Sequence, residues 1–275
     1  MQRSNNYTIL FAAAVCLVCA IFVSGAAVAL KPMQEANKVL DVQKKVLDVS
    51  GALAEGQELS DMTPEEITAL YEEKIQAQVV DLASGNFAEG IVAADYDQRK
   101  ATKDPAQSSE APDNRAGLLR VPTNASVYSL VEDGVVKTII LPISGKGLWS
   151  TLYGFLALEA DTTTIKGITF YEHAETPGLG GEVDNPLWKA KWEGKQAFGE
   201  GDFSAPRIKV LKGMALDTEE GRAHHIDGLA GATITARGVS DLVQFWLGDN
   251  GFGPYLERFR DGVADAPEGE EGGDS

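Results

Sequence analysis

"ASVYSLVEDGVVKTIILPISGKG", residues 125–147, decides the fold class. Apolar runs flank Asp133-Gly134, a dipeptide suited to the positive φ angles of a tight hairpin turn. Two antiparallel strands are expected on either side of it. "STLYGFLALEADTTTIKGITFYEHAE" (150–175) supplies two more strands by the same period-two reading. Further on, "DNPLWKAKWEGKQAF" (184–198) predicts a helix with Asn185 as cap and Pro186 at its first position. "RIKVLKG" (207–213) predicts a short strand. A second helix is expected from Ala236, with Val239, Leu242, Val243, Trp246 and Leu247 on one stripe and Gly248 closing it. Strands and helices mix without regular βαβ alternation, so the fold class is α+β.

Working back towards the N-terminus, residues 63–85 read as one helix. Thr63 is its N-cap, Pro64 and Glu66 complete a capping-box pattern, and Gly85 is the stop. Residues 33–51 carry an amphipathic spacing that ends at Gly51. The polar, Pro-bearing stretch 98–117 reads as an exposed linker. The domain reading is therefore a cytoplasmic end at 1–6, a membrane helix at 7–30, a helical part at 31–97 and that linker. A main domain at 118–260 and an acidic, disordered tail at 261–275 complete it.

From Tyr7 to Leu30 there is no charged residue, and at about 1.5 Å rise per residue this covers the roughly 30 Å hydrocarbon layer. A cleaved signal peptide has a shorter apolar stretch of about 7–15 residues, so a retained single-span anchor is the better reading. Arg3 before the span gives a slight preference for the N-terminus inside. The acidic remainder then lies outside the inner membrane, in the periplasm if the cell is bacterial. The net charge of −17 argues against nucleic-acid binding. The only cysteines, Cys16 and Cys19, lie in the apolar span and offer no disulfide framework. His173, His224 and His225 have no carboxylate or thiol spacing beside them that completes a metal site.

"IDGLAGATITARGV" (226–239) is small, Gly-rich and uncharged between Asp227 and Arg237. Asp227-Gly228 favours a turn, and Gly231 and Ala232 leave the backbone nearly bare before Thr233. Thr235 is the expected cap of the helix from Ala236, whose first-turn amides suit an anion. A threonine hydroxyl is a poor nucleophile without outside activation. The segment therefore reads either as an acceptor for a modifying enzyme or as a plain turn into a capped helix.

"DGLAGATIT" resembles the D-x-x-[ST]-G-A-T-x-[ST] acceptor motif of flavin-transferase substrates, with Ala230 where the motif has Ser or Thr. "SGKGLWSTLYGFLALE" (144–159) and "YEHAETPGLGGEVDNPLWKAKWEGK" (171–195) are similar to the C subunit of Na+-translocating NADH:quinone reductases, over about residues 1–260. The resemblance implies a mixed α+β FMN-binding domain behind one membrane helix. It implies FMN joined covalently through its phosphate to Thr233, electron relay from NADH towards quinone, and coupling to Na+ export. The implied partners are a flavin transferase and the other subunits of a six-subunit membrane complex, multi-span ones included. The chain is then a subunit of an oxidoreductase, inactive alone.

On that basis Gly145, Gly147, Leu148 and Trp149 of GKGLWS, and Glu175, Thr176, Gly178, Leu179 and Gly180 of ETPGLGG, are expected at the flavin. Trp149 either covers a flavin face or is a core tryptophan. Lys212, or Lys209, is the candidate phosphate neutraliser, with Gly231, Ala232 and Thr235 beside the acceptor. Two alternatives stay open: the G subunit of an Rnf-type complex, with the same local chemistry, and a non-redox membrane-anchored assembly module.

Overall fold

The structure, a computed structural model, describes residues 5–54 and 56–262. Among them the chain divides into one compact unit up to Val42 and a second from Gln43. Helix α1 spans Asn5–Ser50, and its apolar window, with mean hydropathy 2.6, is long enough to cross a membrane by length and composition. Gly51, at φ 80°, ends it in the left-handed region that glycine reaches without strain. The acidic tail expected at 261–275 falls almost wholly outside the described residues.

In the second unit, α2 (Pro64–Lys74) is followed by β1 (Ile75–Asp81), α3 (Gln98–Lys103), β2 (Ser108–Glu110) and β3 (Arg120–Pro122). Then come β4 (Asn124–Glu132), β5 (Val135–Lys146), β6 (Thr151–Glu159) and β7 (Ile165–Glu172). Helix α4 (Pro186–Lys189), β8 (Lys209–Val210), α5 (Glu219–His224), β9 (His225–Ile226), α6 (Thr233–Leu247) and α7 (Gly253–Arg260) complete it. The central sheet runs β1-β4-β5-β6-β7, each neighbour antiparallel. At the β4–β5 turn Asp133 has φ 52° and Gly134 φ 75°, the two positive angles of the hairpin turn expected from the dipeptide. The architecture is mixed α+β, as expected.

Side-chain alternation lets both faces of the sheet be buried. Ile139, Leu141 and Ile143 of β5 join Val239, Leu242, Val243, Trp246 and Leu247 of α6 in one core. Ile140, Phe155 and Ala157 point the other way and are buried as well. On that face the Thr138 hydroxyl donates to the carbonyl of Ser50 at 2.9 Å, fastening the end of α1 beside the sheet.

Several local expectations need correction. The capping box at Thr63 and Glu66 forms, but the helix stops at Lys74 rather than Gly85. Residues 75–81 instead add an edge strand, because their backbone pairs with β4 from Ile75↔Leu130 to Asp81↔Asn124. The stretch 98–117 is no featureless linker. Asp97 caps α3, Arg99 holds Glu172 through two hydrogen bonds at 2.6 and 2.9 Å, and β2 pairs with β3. Asn185 caps its helix through Leu187 N, yet α4 ends at Lys189 and only a short 3-10 turn, Ala190–Trp192, continues it. The strand expected at 207–213 is reduced to Lys209–Val210, paired in parallel with β9.

Candidate functional site

Helix α6 begins at Thr233, not at Ala236. The turn lies at Ala230-Gly231, with Gly231 at φ 71°, rather than at Asp227-Gly228. Asp227 is a tether instead. Its carboxylate accepts from Ala215 N and Lys191 Nζ, each at 2.6 Å, and its carbonyl accepts from Trp188 Nε1 at 2.9 Å. The hydrogen bond from Lys191, then that from the Ala215 amide, holds the Asp227 carboxyl below its ordinary pKa, with burial opposing.

Ala232 precedes α6 without any side-chain cap. Among the described residues the amides of Thr233, Ile234 and Thr235 have no acceptor within the fold; the first backbone bond of the helix is Ala236 N to Ala232 O. Thr233 is half-buried, and its hydroxyl has no hydrogen-bond partner among the described residues. A free hydroxyl and three unpaired first-turn amides thus stand together at a positive helix end.

Thr235 is not the cap. It is fully buried, and its hydroxyl donates to Glu175 Oε2 at 2.6 Å. The same carboxylate accepts three amides of the β5–β6 turn: Trp149 N at 2.9 Å, Ser150 N at 3.2 Å and Leu148 N at 3.2 Å. Burial works to raise the Glu175 pKa, and the Thr235 hydroxyl with the three amides outweighs it, leaving the carboxyl below the ordinary value. Glycines make room for this carboxylate. A Cβ on Gly147 would lie 2.6 Å from Glu175 Oε1, and one on Gly180 would lie 2.7 Å from both Glu175 Oε2 and Thr235 Oγ1.

The ETPGLGG loop is drawn tight by Thr176, whose carbonyl accepts from Leu179 N at 3.1 Å and Gly181 N at 2.9 Å. Gly178 takes φ 74° there. His173 braces the loop at both ends: Nδ1 accepts from Glu175 N at 3.2 Å, so Nε2 carries the proton towards Asp184 Oδ2 at 2.8 Å. Leu179 reaches the turn before α6, because a Cβ on Gly231 would meet Leu179 Cδ2 at 2.8 Å. The three segments joined through Glu175 each present apolar side chains in the open: Trp149 is 69% exposed and Leu148 42% on the β5–β6 turn, Leu179 43% on its loop, and Ile234 57% next to Thr233. Trp149 is not a core tryptophan.

One expected residue stands elsewhere. Gly145 faces α6, where a Cβ would run onto Leu242 and lie 3.2 Å from Ala116 O, so its bareness serves helix–sheet packing. Lys212 is exposed in the loop whose Gly213 carbonyl accepts from Gly228 N at 2.6 Å, five residues before Thr233, while Lys209 pairs in register with His225. Sequence reasoning missed Ser150 and Ile234. Ser150 contributes its amide to Glu175, and its hydroxyl accepts from Ala174 N at 2.8 Å; the only signal was its place at the end of GKGLWS. Nothing in the sequence distinguishes Ile234 from a core isoleucine.

Residues 147–248 match the family model of the FMN-binding domain. That interval opens at Gly147 and closes at Gly248, enclosing Glu175, Thr233 and Thr235. The C subunit of the Na(+)-translocating NADH-quinone reductase of Pseudomonas aeruginosa is 47% identical over 267 residues, covering 96% of this chain and 99% of the relative. The chain belongs to the C-subunit family of Na+-translocating NADH-quinone reductases. The Vibrio campbellii member is 47% identical over 252 residues, covering 90% of this chain and 92% of that protein. The crystal structure of Shewanella oneidensis NqrC superposes with TM-score 0.72 at 30% identity, covering 83% of this chain and 99% of that one. Members of this family belong to an oxidoreductase, and this one carries an FMN-binding domain. The residues present fit FMN. A phosphate would find free amides and a positive helix end, and a flavin ring would find the exposed Trp149 and Leu179 as apolar surface, with Leu179 beside the bare Gly231.

Proposed function

We propose that this chain is an electron-carrier subunit of a Na+-translocating NADH:quinone oxidoreductase and that FMN is joined through its phosphate to the Thr233 oxygen. The observation that carries this reading is the free Thr233 hydroxyl beside the three unpaired amides of an uncapped helix start. Attachment forms a bond from Thr233 Oγ to the phosphorus of a flavin-phosphoryl donor. The bond from phosphorus to the donor's leaving oxygen breaks, and the hydroxyl proton passes to a base of the flavin transferase. Among the described residues Glu175, the carboxylate bonded to the Thr235 hydroxyl, is already engaged with four donors and is not free to act as that base.

Bound flavin supplies one- and two-electron redox chemistry. The chain's own residues hold and orient it. The first-turn amides of α6 would receive the phosphate, Lys212 would add positive charge from the loop bonded to Gly228, and Gly231 and Ala232 would leave room for the ester. The exposed side chains of Trp149, Leu148 and Leu179 would supply the apolar surface that shields the ring. Gly178 and Gly180 let the Thr176 loop approach closely. Covalent attachment keeps the cofactor on a domain exposed to a large outside volume. Helix α1 anchors the chain in the inner membrane with the domain in the periplasm, beside the multi-span subunits that complete electron flow to quinone and Na+ export.

Intact-mass spectrometry of the full-length chain, co-expressed with a flavin transferase, tests the reading. The expected mass is the polypeptide plus one FMN minus water, reverting to the bare polypeptide in Thr233→Ala. Unmodified mass in the parent chain removes the carrier assignment.

A further inference from the structure

Glu175 carries a requirement that no sequence motif states. All four of its partners are donors: Trp149 N and Ser150 N on Oε1, Leu148 N and the Thr235 hydroxyl on Oε2. The residue is 5% exposed, so water does not substitute for these bonds. Its partners come from two other places in the fold, the β5–β6 turn and the first turn of α6. The loop that bears Glu175 is the third. Gly147 and Gly180, the two glycines that a Cβ would drive into this carboxylate, close the cradle from the first and third of these segments.

We propose that Glu175, with Thr235 as its partner, is the positioning residue of the flavin site: ionised, it locks the GKGLWS turn and the ETPGLGG loop against the first turn of α6. It then does not touch the reacting phosphate. It acts through the backbone of Leu148, Trp149 and Ser150 and through Thr235, setting where Trp149, Leu179 and the Thr233 amides stand. The inference rests on the FMN attachment reading only for its consequence at the flavin; the locking itself belongs to the polypeptide.

An amide in place of the carboxylate cannot serve. In Glu175→Gln one oxygen becomes an NH2 group, which presents donors to donors and leaves at least one buried amide unpaired. Thr235→Val keeps the shape and the three amide bonds but removes the hydroxyl, whereas Thr235→Ser retains the donor.

The experiment uses the full-length chain in detergent, with and without co-expressed flavin transferase, and reads two signals. The first is hydrogen exchange at the amides of Leu148, Trp149 and Ser150 in the unflavinylated chain, repeated in a Thr233→Ala background. The second is the visible absorption and fluorescence spectrum of the attached flavin. Expected is a loss of protection at these three amides of about tenfold or more in Glu175→Gln. Thr233→Ala alone leaves the protection in place. The flavin spectrum shifts in both Glu175→Gln and Thr235→Val, and Thr235→Ser restores the parent spectrum. Unchanged exchange and an unchanged spectrum in Glu175→Gln overturn the proposal, as does a Thr235→Ser spectrum that matches Thr235→Val. Should Glu175→Gln fail to fold, Thr235→Val against Thr235→Ser decides alone. Absence of FMN from the parent chain would remove the attachment reading while leaving the exchange result to judge the lock.

Discussion

Thr235 and Glu175 stand sixty residues apart in the chain and meet at 2.6 Å, hydroxyl to carboxylate, in a fully buried contact. This bond ties the first turn of α6 to the loop that bears Glu175. Thr233, two residues earlier, is left half-buried with a free hydroxyl. Neighbouring threonines of one motif thus divide the labour: one is held inside, the other is offered out.

Thr233→Ala is expected to abolish covalent flavin fluorescence on a denaturing gel under ultraviolet light while leaving the fold intact. The side chain makes no hydrogen bond, so the change in unfolding free energy should stay within about 0.5 kcal/mol. A chemical denaturation curve with unaltered midpoint and slope checks the second half.

Gly231→Ala should reduce flavin loading. The residue sits at φ 71°, and its Cβ would lie 2.8 Å from Leu179 Cδ2. A non-glycine in the left-handed region costs about 1–2 kcal/mol, and relief by shifting the turn moves Thr233. The fraction of chains bearing FMN, read by intact mass at a fixed transferase level, should fall below the parent value. Equal loading would show that the turn tolerates the shift.

Gly145→Ala probes packing rather than the flavin. Its Cβ would run onto Leu242 of α6, and overpacking of this kind costs about 1–3 kcal/mol. The expected result is a lower denaturation midpoint. Thr63→Ala, by contrast, removes the cap of α2 and should cost about 1 kcal/mol with the flavin spectrum untouched.

Acid should loosen the site late. The Glu175 carboxyl is held below its ordinary pKa, so its contribution to stability is complete above the unfolded value of about 4.3 and is lost as pH falls through the lower folded value. Between pH 8 and pH 5 the exchange protection of the Leu148–Ser150 amides should therefore stay constant once corrected for intrinsic rates. A loss of protection within that range would contradict an ionised Glu175 held by these donors.

Much of the fold was legible because its signals are local. Asp133-Gly134 turns a hairpin through its own φ preferences, Thr63 and Glu66 cap through bonds three residues apart, and Gly51 ends α1 through its φ. The misread elements are those whose partners are distant. Residues 75–81 continue a helical pattern in sequence, yet β4 supplies a ladder for their backbone and wins. The polar stretch 98–117 looked like a linker because its organising contacts reach Glu172 and Ser126, neither nearby in the chain.

The site divides the same way. By itself the sequence determined the run of small residues around Thr233 and Thr235 and the apolar span at the N-terminus, since these depend on residue chemistry and on short-range geometry. Only the tertiary structure decided that Gly145 serves packing, that Trp149 is exposed, and that Thr235 bonds Glu175 instead of capping a helix. Those roles arise from groups that meet across 26 to 97 residues of chain, from Trp149 with Glu175 to Gly145 with Leu242, and no local preference encodes where a contact of that span will close.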